Sequence, residues 1–198
     1  KAFGALASKL HTGLHEVIGH GSGQLMAGVG TPKETLQSYS NTIEEARADL
    51  VALYFIADPK LIEAGLIDDP ETAKAAYDSF MVGGLIRQLV RVEPGKVLEE
   101  SHMRNRQLIA SWVFEKGLEQ DIVEKVQLDS KTYLRINDYQ ALRHLFGILL
   151  NEVQRIKSEG DYAAARELVE NYGVKIDPLL HQEVLARWKS LGIAPFAG

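Results

Sequence analysis

Apolar residues recur at helical spacing along most of this chain, and this periodicity restricts the fold to a mainly α-helical one. The helical segments are separated by glycine and proline, at positions such as Asp58-Pro59, Pro94-Gly95 and Gly160. The pattern predicts helices over residues 3–20, 41–57, 59–65, 68–92, 97–117, 138–158, 160–172 and 178–190. Among the residues able to cap these helices, Thr35 or Ser40 is expected to start the second and Asp69 the fourth.

Residues 121–136 follow a different pattern. Valine, isoleucine, threonine and tyrosine alternate with polar residues on both sides of Asp129-Ser130, which predicts a β-hairpin. No internal repeat, low-complexity tract or linker-like change of composition divides the chain. The sequence therefore predicts one mainly α-helical domain over residues 1–198 with one small β-hairpin.

Composition limits the chemistry and the partners. The chain has no cysteine, so any metal ion must be held by histidine, carboxylate or water. Its formal net charge is −5 and it has no long basic run, which argues against a nucleic-acid partner. No apolar stretch approaches the ~20 residues of a membrane span, so no membrane partner is expected. We expect a cytoplasmic protein, although targeting signals of a longer parent would not be visible in a chain that begins at Lys1.

Two histidines in the segment LHEVIGHGSG are separated by five positions. A regular α-helix turns ~100° per residue, so His15 and His20 would point about 140° apart and could not bind one ion. A single-turn π-bulge absorbs one extra residue and would restore a common face. Gly19 lies where that distortion is expected, because glycine tolerates unusual backbone angles.

The next acidic helix could supply a third metal ligand. Glu45 and Asp49 are four residues apart and share a helical face, while Glu44, the residue before Glu45, lies beside that face. One carboxylate could bind a metal ion while its neighbours accept hydrogen bonds from the outer nitrogens of the histidines. Two alternatives remain open: the acids could form an ordinary solvated face, and His11 with His15 could form a different metal pair that has no adjacent glutamate as a base.

These two segments together resemble the signature motifs of the dipeptidyl peptidase III family of zinc metallopeptidases. The matching residues are His15-Glu16-Val17-Ile18-Gly19-His20 and Glu44-Glu45-Ala46-Arg47-Ala48-Asp49. The resemblance implies a Zn²⁺ cofactor with His15, His20 and Glu45 as its ligands. It further implies that Glu16 is the general base and acid, and that Glu44 and Asp49 support the histidines from behind.

A further segment, Ser101 to Arg106, resembles the family's His-Met-x-x-Arg sequence. The resemblance implies that His102 stabilises the transition state, with Arg106 on the same helical face. The sequence departs from the family pattern at Asp49, where a longer glutamate is usual. Family members also have two lobes around a cleft, so residues 1–198 resemble only the helical zinc-bearing lobe of a longer enzyme, and the other lobe is an expected partner.

The resemblance implies an exopeptidase that releases dipeptides from the N-termini of short peptides through zinc-activated water. We expect weak or no activity from the isolated lobe, because half of the cleft would be missing. The alternatives are a non-enzymatic helical module and a peptide-binding pseudoenzyme, with structural metal or none. A purely structural zinc normally has four protein ligands, and the sequence indicates three.

Overall fold

A computed structural model of the protein describes residues 3–192. The described residues form nine α-helices, two π-helical turns at His15–Gly19 and Val169–Gly173, two 3₁₀ turns at Gln37–Tyr39 and Arg87–Arg91, and one β-hairpin. The α-helices are α1 (Gly4–Leu14), α2 (Pro32–Thr35), α3 (Ser40–Phe55), α4 (Pro59–Glu63), α5 (Glu71–Leu85), α6 (Ser101–Leu118), α7 (Tyr139–Glu159), α8 (Tyr162–Leu168) and α9 (Pro178–Ser190). The prediction of a mainly α-helical fold with one small hairpin is confirmed.

Helix α3 lies at the centre of the fold, with α1, α6 and α7 packed around it. Ten of its sixteen residues are buried, including the fully buried Ile43, Leu50 and Leu53. A helix that is buried on most sides needs apolar residues on most sides, and the run DLVALYF supplies them. The acidic residues at the start of α3 are therefore held by a helix that the whole core surrounds.

The predicted hairpin is formed by β1 (Val123–Leu128) and β2 (Lys131–Ile136), which pair antiparallel with Leu128 opposite Lys131. Asp129 and Ser130 both have positive φ, at 50° and 58°, as a two-residue type I′ turn requires. The backbone N–H of Thr132 donates to the Glu183 carboxylate at 2.7 Å, which attaches the hairpin to α9.

The helices predicted over residues 68–92 and 97–117 are both shorter in the structure. The helix expected over 68–92 ends at Leu85 and continues as a 3₁₀ turn, because Ile86 leaves the helical region with φ −126°. There the buried side chain of Gln88 donates to the Gly84 carbonyl at 2.7 Å. The helix expected over 97–117 begins only at Ser101, because the Glu100 carboxylate caps it by accepting from the backbone amides of His102 and Met103.

The predicted cap of α3 is wrong. Residue Tyr39 precedes the helix without a side-chain cap, and the Thr35 hydroxyl instead donates to the Thr31 carbonyl at 3.1 Å. The cap expected from Asp69 is present, since its carboxylate accepts from the Glu71 amide at 2.8 Å. None of the helices within residues 3–192 has the length and apolarity needed to cross a bilayer.

Candidate metal centre

The extra residue between the two histidines is absorbed by a single π-helical turn, as predicted from their spacing. Residues His15–Gly19 form this turn directly after α1, and the His20 amide donates to the His15 carbonyl at 3.0 Å. This i→i+5 bond brings both imidazoles to the same side of the helix. Their ring centroids are 4.7 Å apart and their planes are nearly perpendicular.

Gly19 is needed for a reason that differs from the expected one. Its φ is not in the positive region, so backbone freedom does not explain the glycine. A Cβ on Gly19 would instead lie 2.8 Å from the Cα and 2.9 Å from the Cβ of Ala48 in α3. The glycine therefore lets the π-turn approach the backbone of the helix that carries the acidic residues.

Three side chains converge in front of this turn. The Nε2 atoms of His15 and His20 are 3.1 Å apart, and Glu45 Oε2 lies 3.4 Å from His15 Nε2. Glu45 Oε1 is 4.0 Å from His20 Nε2. Two ligands held about 2.0–2.1 Å from a tetrahedral zinc ion are about 3.3–3.4 Å apart, which is close to the two shorter spacings. The three residues thus form a group able to hold a metal ion.

The outer nitrogens of both histidines meet carboxylates. His15 Nδ1 lies 2.8 Å from Asp49 Oδ1, and His20 Nδ1 lies 3.0 Å from Glu44 Oε1. An ionised carboxylate only accepts hydrogen bonds, so each Nδ1 carries a proton, and in the neutral form of each imidazole the lone pair is on Nε2. The two lone pairs then face each other and Glu45, whose buried Oε2 receives no hydrogen bond. This concentration of acceptors fits a bound cation.

Asp49 is held from several sides. Its Oδ1 also lies 3.0 Å from His11 Nε2, and its Oδ2 accepts from Asn105 Nδ2 at 2.9 Å. Burial would raise the pKa of this carboxyl group, but the hydrogen bonds from His11 and His15 lower it well below its usual range. The hydrogen bond between His15 and Asp49 also raises the pKa of His15, against the opposing effect of burial.

The alternative pair of His11 and His15 also forms a group with Asp49 that could hold an ion. In this group both nitrogens already lie at hydrogen-bond distance from one carboxylate oxygen, so no cation is needed to explain their positions. The spacing of four residues placed His11 on the correct face in the sequence, but its contact with Asp49 was missed. The contribution of Asn105 was also missed, because no local pattern links it to Asp49.

Glu44 and Arg47 connect the site to the loop after the π-turn. Burial would raise the pKa of Glu44, but hydrogen bonds from Arg47, Lys157 and His20 lower it to about 2. The fully buried side chain of Arg47 donates to the Gly19 carbonyl at the end of the π-turn and to the Ser22 hydroxyl. Lys157 comes from α7, a distant contact that the sequence pattern does not reveal.

The remaining predicted residues occupy different positions. Glu16 is exposed next to His15 and makes no side-chain hydrogen bond within residues 3–192. His102 is also exposed, and its Nδ1 lies 3.2 Å from Glu45 Oε2, so the structure brings it to the three converging side chains. Arg106 lies one turn further along α6 and lines a neighbouring cleft.

The model of peptidase family M49 matches residues 28–189. The chain belongs to this family. The match includes Glu44 to Asp49 and His102 to Arg106, while the two histidines of the π-turn precede it. Family M49 consists of metallopeptidases, which agrees with the groups of histidine and acid found here. The chain is thus a mainly α-helical member of a peptidase family.

Two solved structures are similar to this M49 chain. A structure of DPP III from Caldithrix abyssi matches with a TM-score of 0.69 and 27% identity, covering 92% of this chain and 32% of that one. The dipeptidyl-peptidase III from Corallococcus sp. strain EGB matches with a TM-score of 0.64 and 23% identity, covering 91% and 31%. The chain therefore spans about a third of the length of these relatives.

Proposed function

We propose that this chain is the zinc-bearing lobe of a metallopeptidase that releases dipeptides from the N-termini of short peptides. The observation that carries the proposal is the convergence of His15, His20 and Glu45, with each outer histidine nitrogen on a carboxylate. Membership of family M49 and similarity to two dipeptidyl-peptidase III structures support it. The release of dipeptides rests on those relatives.

His15, His20 and Glu45 would hold the ion, and Asp49 and Glu44 would keep both imidazoles in the tautomer with a free Nε2. Zinc bound in such a site supplies Lewis acidity, which lowers the pKa of a coordinated water towards about 7 and polarises a carbonyl group. Three protein ligands leave a fourth position open, as hydrolysis requires. Zinc is proposed because histidine and carboxylate suit it and cysteine is absent.

Glu16 would act as the general base and acid. It directly follows His15, is exposed, and has no competing hydrogen bond within the described residues. Its carboxylate can accept the proton of the attacking water and then deliver that proton to the leaving amine. His102, exposed and adjacent to Glu45, would donate a hydrogen bond to the oxyanion that develops at the scissile carbonyl.

The coverage of about a third of each relative supports a two-lobed parent in which residues 1–198 form one side of the cleft. The other lobe would then bind the peptide backbone and its N-terminus. On this basis the isolated lobe should bind zinc and have little peptidase activity, because the substrate would be held on one side only.

The test uses the full-length parent and measures metal content together with dipeptide release from a peptide arylamide. We expect Glu16→Gln to retain one zinc ion per chain and to lose about 10²–10⁴-fold in turnover, the usual contribution of a general base. His20→Ala should lose the metal and the activity. Glu63→Gln, an exposed change on α4, is the matched control.

Near-normal turnover by Glu16→Gln would remove this residue from the mechanism. A parent that contains no metal and folds unchanged after His20→Ala would instead support the non-enzymatic helical module.

A further inference from the structure

A cleft of about 450 Å³ lies beside the candidate metal centre, lined by residues of α1, α5, α6 and α9 and of the 3₁₀ turn at Arg87–Arg91. Three arginines and one histidine contribute to its lining, namely Arg87, Arg91, Arg106 and His11. No aspartate or glutamate lines it, although the chain as a whole carries a net charge of −5. The cleft is thus a local concentration of positive charge on an acidic protein.

Two of these arginines have nothing to neutralise them within residues 3–192. The guanidinium groups of Arg87 and Arg106 make no hydrogen bond or ion pair with a described residue, and both side chains are exposed. A guanidinium presents a planar fork of donors that matches a carboxylate, often through two parallel hydrogen bonds. The apolar side chains of Phe80 and Met103 in the lining lower the local dielectric constant, which strengthens an ion pair between a guanidinium and a carboxylate.

The cleft is connected to the three converging side chains through two stretches of helix. His11 precedes His15 by four residues, and Arg106 follows His102 by four residues. The ring centroid of His11, which lines the cleft, is 6.4 Å from that of His15, and Arg106 lies one helical turn, about 6 Å, beyond His102. An extended peptide covers about 3.3 Å per residue, which means that the second or third residue from the scissile bond reaches the cleft.

We infer that this cleft binds a carboxylate of the peptide substrate on the C-terminal side of the scissile bond. The inference rests on the proposed function, because in a peptide that loses an N-terminal dipeptide the main-chain charge on the other side of the scissile bond is the N-terminal ammonium. The guanidinium groups of Arg87 and Arg106 repel an ammonium and attract a carboxylate. The cleft thereby favours short peptides whose C-terminus lies two or three residues beyond the bond, or longer peptides with an acidic residue there.

The test measures kcat/KM of the full-length parent and its Arg87→Gln variant on two pairs of peptides. The first pair has a free or an amidated C-terminus two residues beyond the scissile bond. The second pair is amidated and has glutamate or glutamine at that position. A charge-assisted hydrogen bond contributes enough that its loss should lower kcat/KM about tenfold for the carboxylate member of a pair.

If Arg87→Gln lowers kcat/KM only for the peptide with a free C-terminus, the ligand is the main-chain carboxylate. If it lowers kcat/KM only for the glutamate peptide, the ligand is a side-chain carboxylate. An equal loss for both members of each pair, or no loss, overturns the inference. Arg87→Lys should recover part of the selectivity, because it restores the charge without the fork. Arg166→Gln removes an exposed arginine of α8, far from the cleft lining, and is the matched control.

Binding distinguishes a failed subsite from a failed function. The affinity of the free-acid and amide peptides for the Glu16→Gln parent is measured by calorimetry at low and high salt. A preference for the free acid that falls with salt and disappears with Arg87→Gln supports the subsite even when no dipeptide is released. Dipeptide release without any such preference leaves the proposed function intact and rejects the subsite. If Arg87→Gln lowers the thermal stability and leaves the peptide preference unchanged, the cleft binds a carboxylate of the parent chain. This result also rejects the substrate subsite.

Discussion

The substitution Gly19→Ala should damage both the fold and the metal site. The added methyl group would lie 2.8–2.9 Å from the Cα, Cβ and carbonyl oxygen of Ala48. These atoms belong to the backbone and the first side-chain carbon of a central helix, so none of them can rotate away. The π-turn must therefore move away from α3, which separates His15 and His20 from Glu45.

The magnitude follows from two opposing terms. Inserting a methylene into a tightly packed site costs about 1–3 kcal/mol, and the rigid surroundings of Gly19 place this change near the upper end. Alanine recovers about 0.5–1 kcal/mol of helix propensity relative to glycine. The net loss is about 2 kcal/mol, or about 4–8 °C in Tm for a domain of this size.

Gly13→Ala is the matched control because it makes the same change in α1, where a Cβ would have no neighbour within 4 Å. It should raise Tm by a few degrees through helix propensity alone. Calorimetry of the metal-free proteins gives both stabilities, and titration with zinc should show at least about tenfold weaker binding for Gly19→Ala only. Equal Tm and equal zinc affinity for Gly19→Ala and wild type would refute the close-approach argument.

Three further changes test other contacts. Asp49→Asn should weaken zinc binding about 10–100-fold while the protein stays folded, and unchanged affinity would show that His15 needs no carboxylate behind it. Glu44→Gln should destabilise the metal-free protein at neutral pH. The pKa of Glu44 is lowered to about 2, so its contribution is complete above about pH 4.5 and is lost as pH falls towards 2. Denaturant titrations should show wild type and variant converging over that range, and a constant difference would contradict this. Gly84→Ala, whose Cβ would lie 2.6 Å from a backbone oxygen of α6, should cost about 1–3 kcal/mol, whereas its unobstructed neighbour Gly83→Ala should not; equal effects on Tm would refute the contact.

Local rules were sufficient for the presence of the long helices, for the hairpin and for the distorted turn, although not for every helix end. The five-residue spacing of His15 and His20 makes a regular helix incompatible with a shared ion, so the π-turn could be predicted from geometry alone. The Asp129-Ser130 turn likewise follows from alternation in the sequence. Spacing along α3 also indicated that carboxylates would lie behind the histidines, and the hydrogen bonds of Asp49 and Glu44 have that arrangement.

Contacts between distant segments were not predictable from one sequence. Lys157 reaches Glu44 from α7, and Asn105 reaches Asp49 from α6, because the tertiary fold brings these helices together. The end of α5 was missed for the same reason: Gln88 is buried against α6, and its tertiary surroundings override the helical pattern of its neighbours. The reason for Gly19 required the position of Ala48, which only the packing of α3 reveals.

The buried guanidinium of Arg47 has a consequence for anyone who wishes to transplant this site into another scaffold. It satisfies the last carbonyl of the wide turn and also holds Glu44, so it links the backbone of one helix to the side chains of the next. A peptide carrying the six-residue histidine motif alone would lose the wide turn, because nothing would hold its backbone or keep its imidazoles on one side. A portable version must include both helices, the glycine between them and this arginine as a single module.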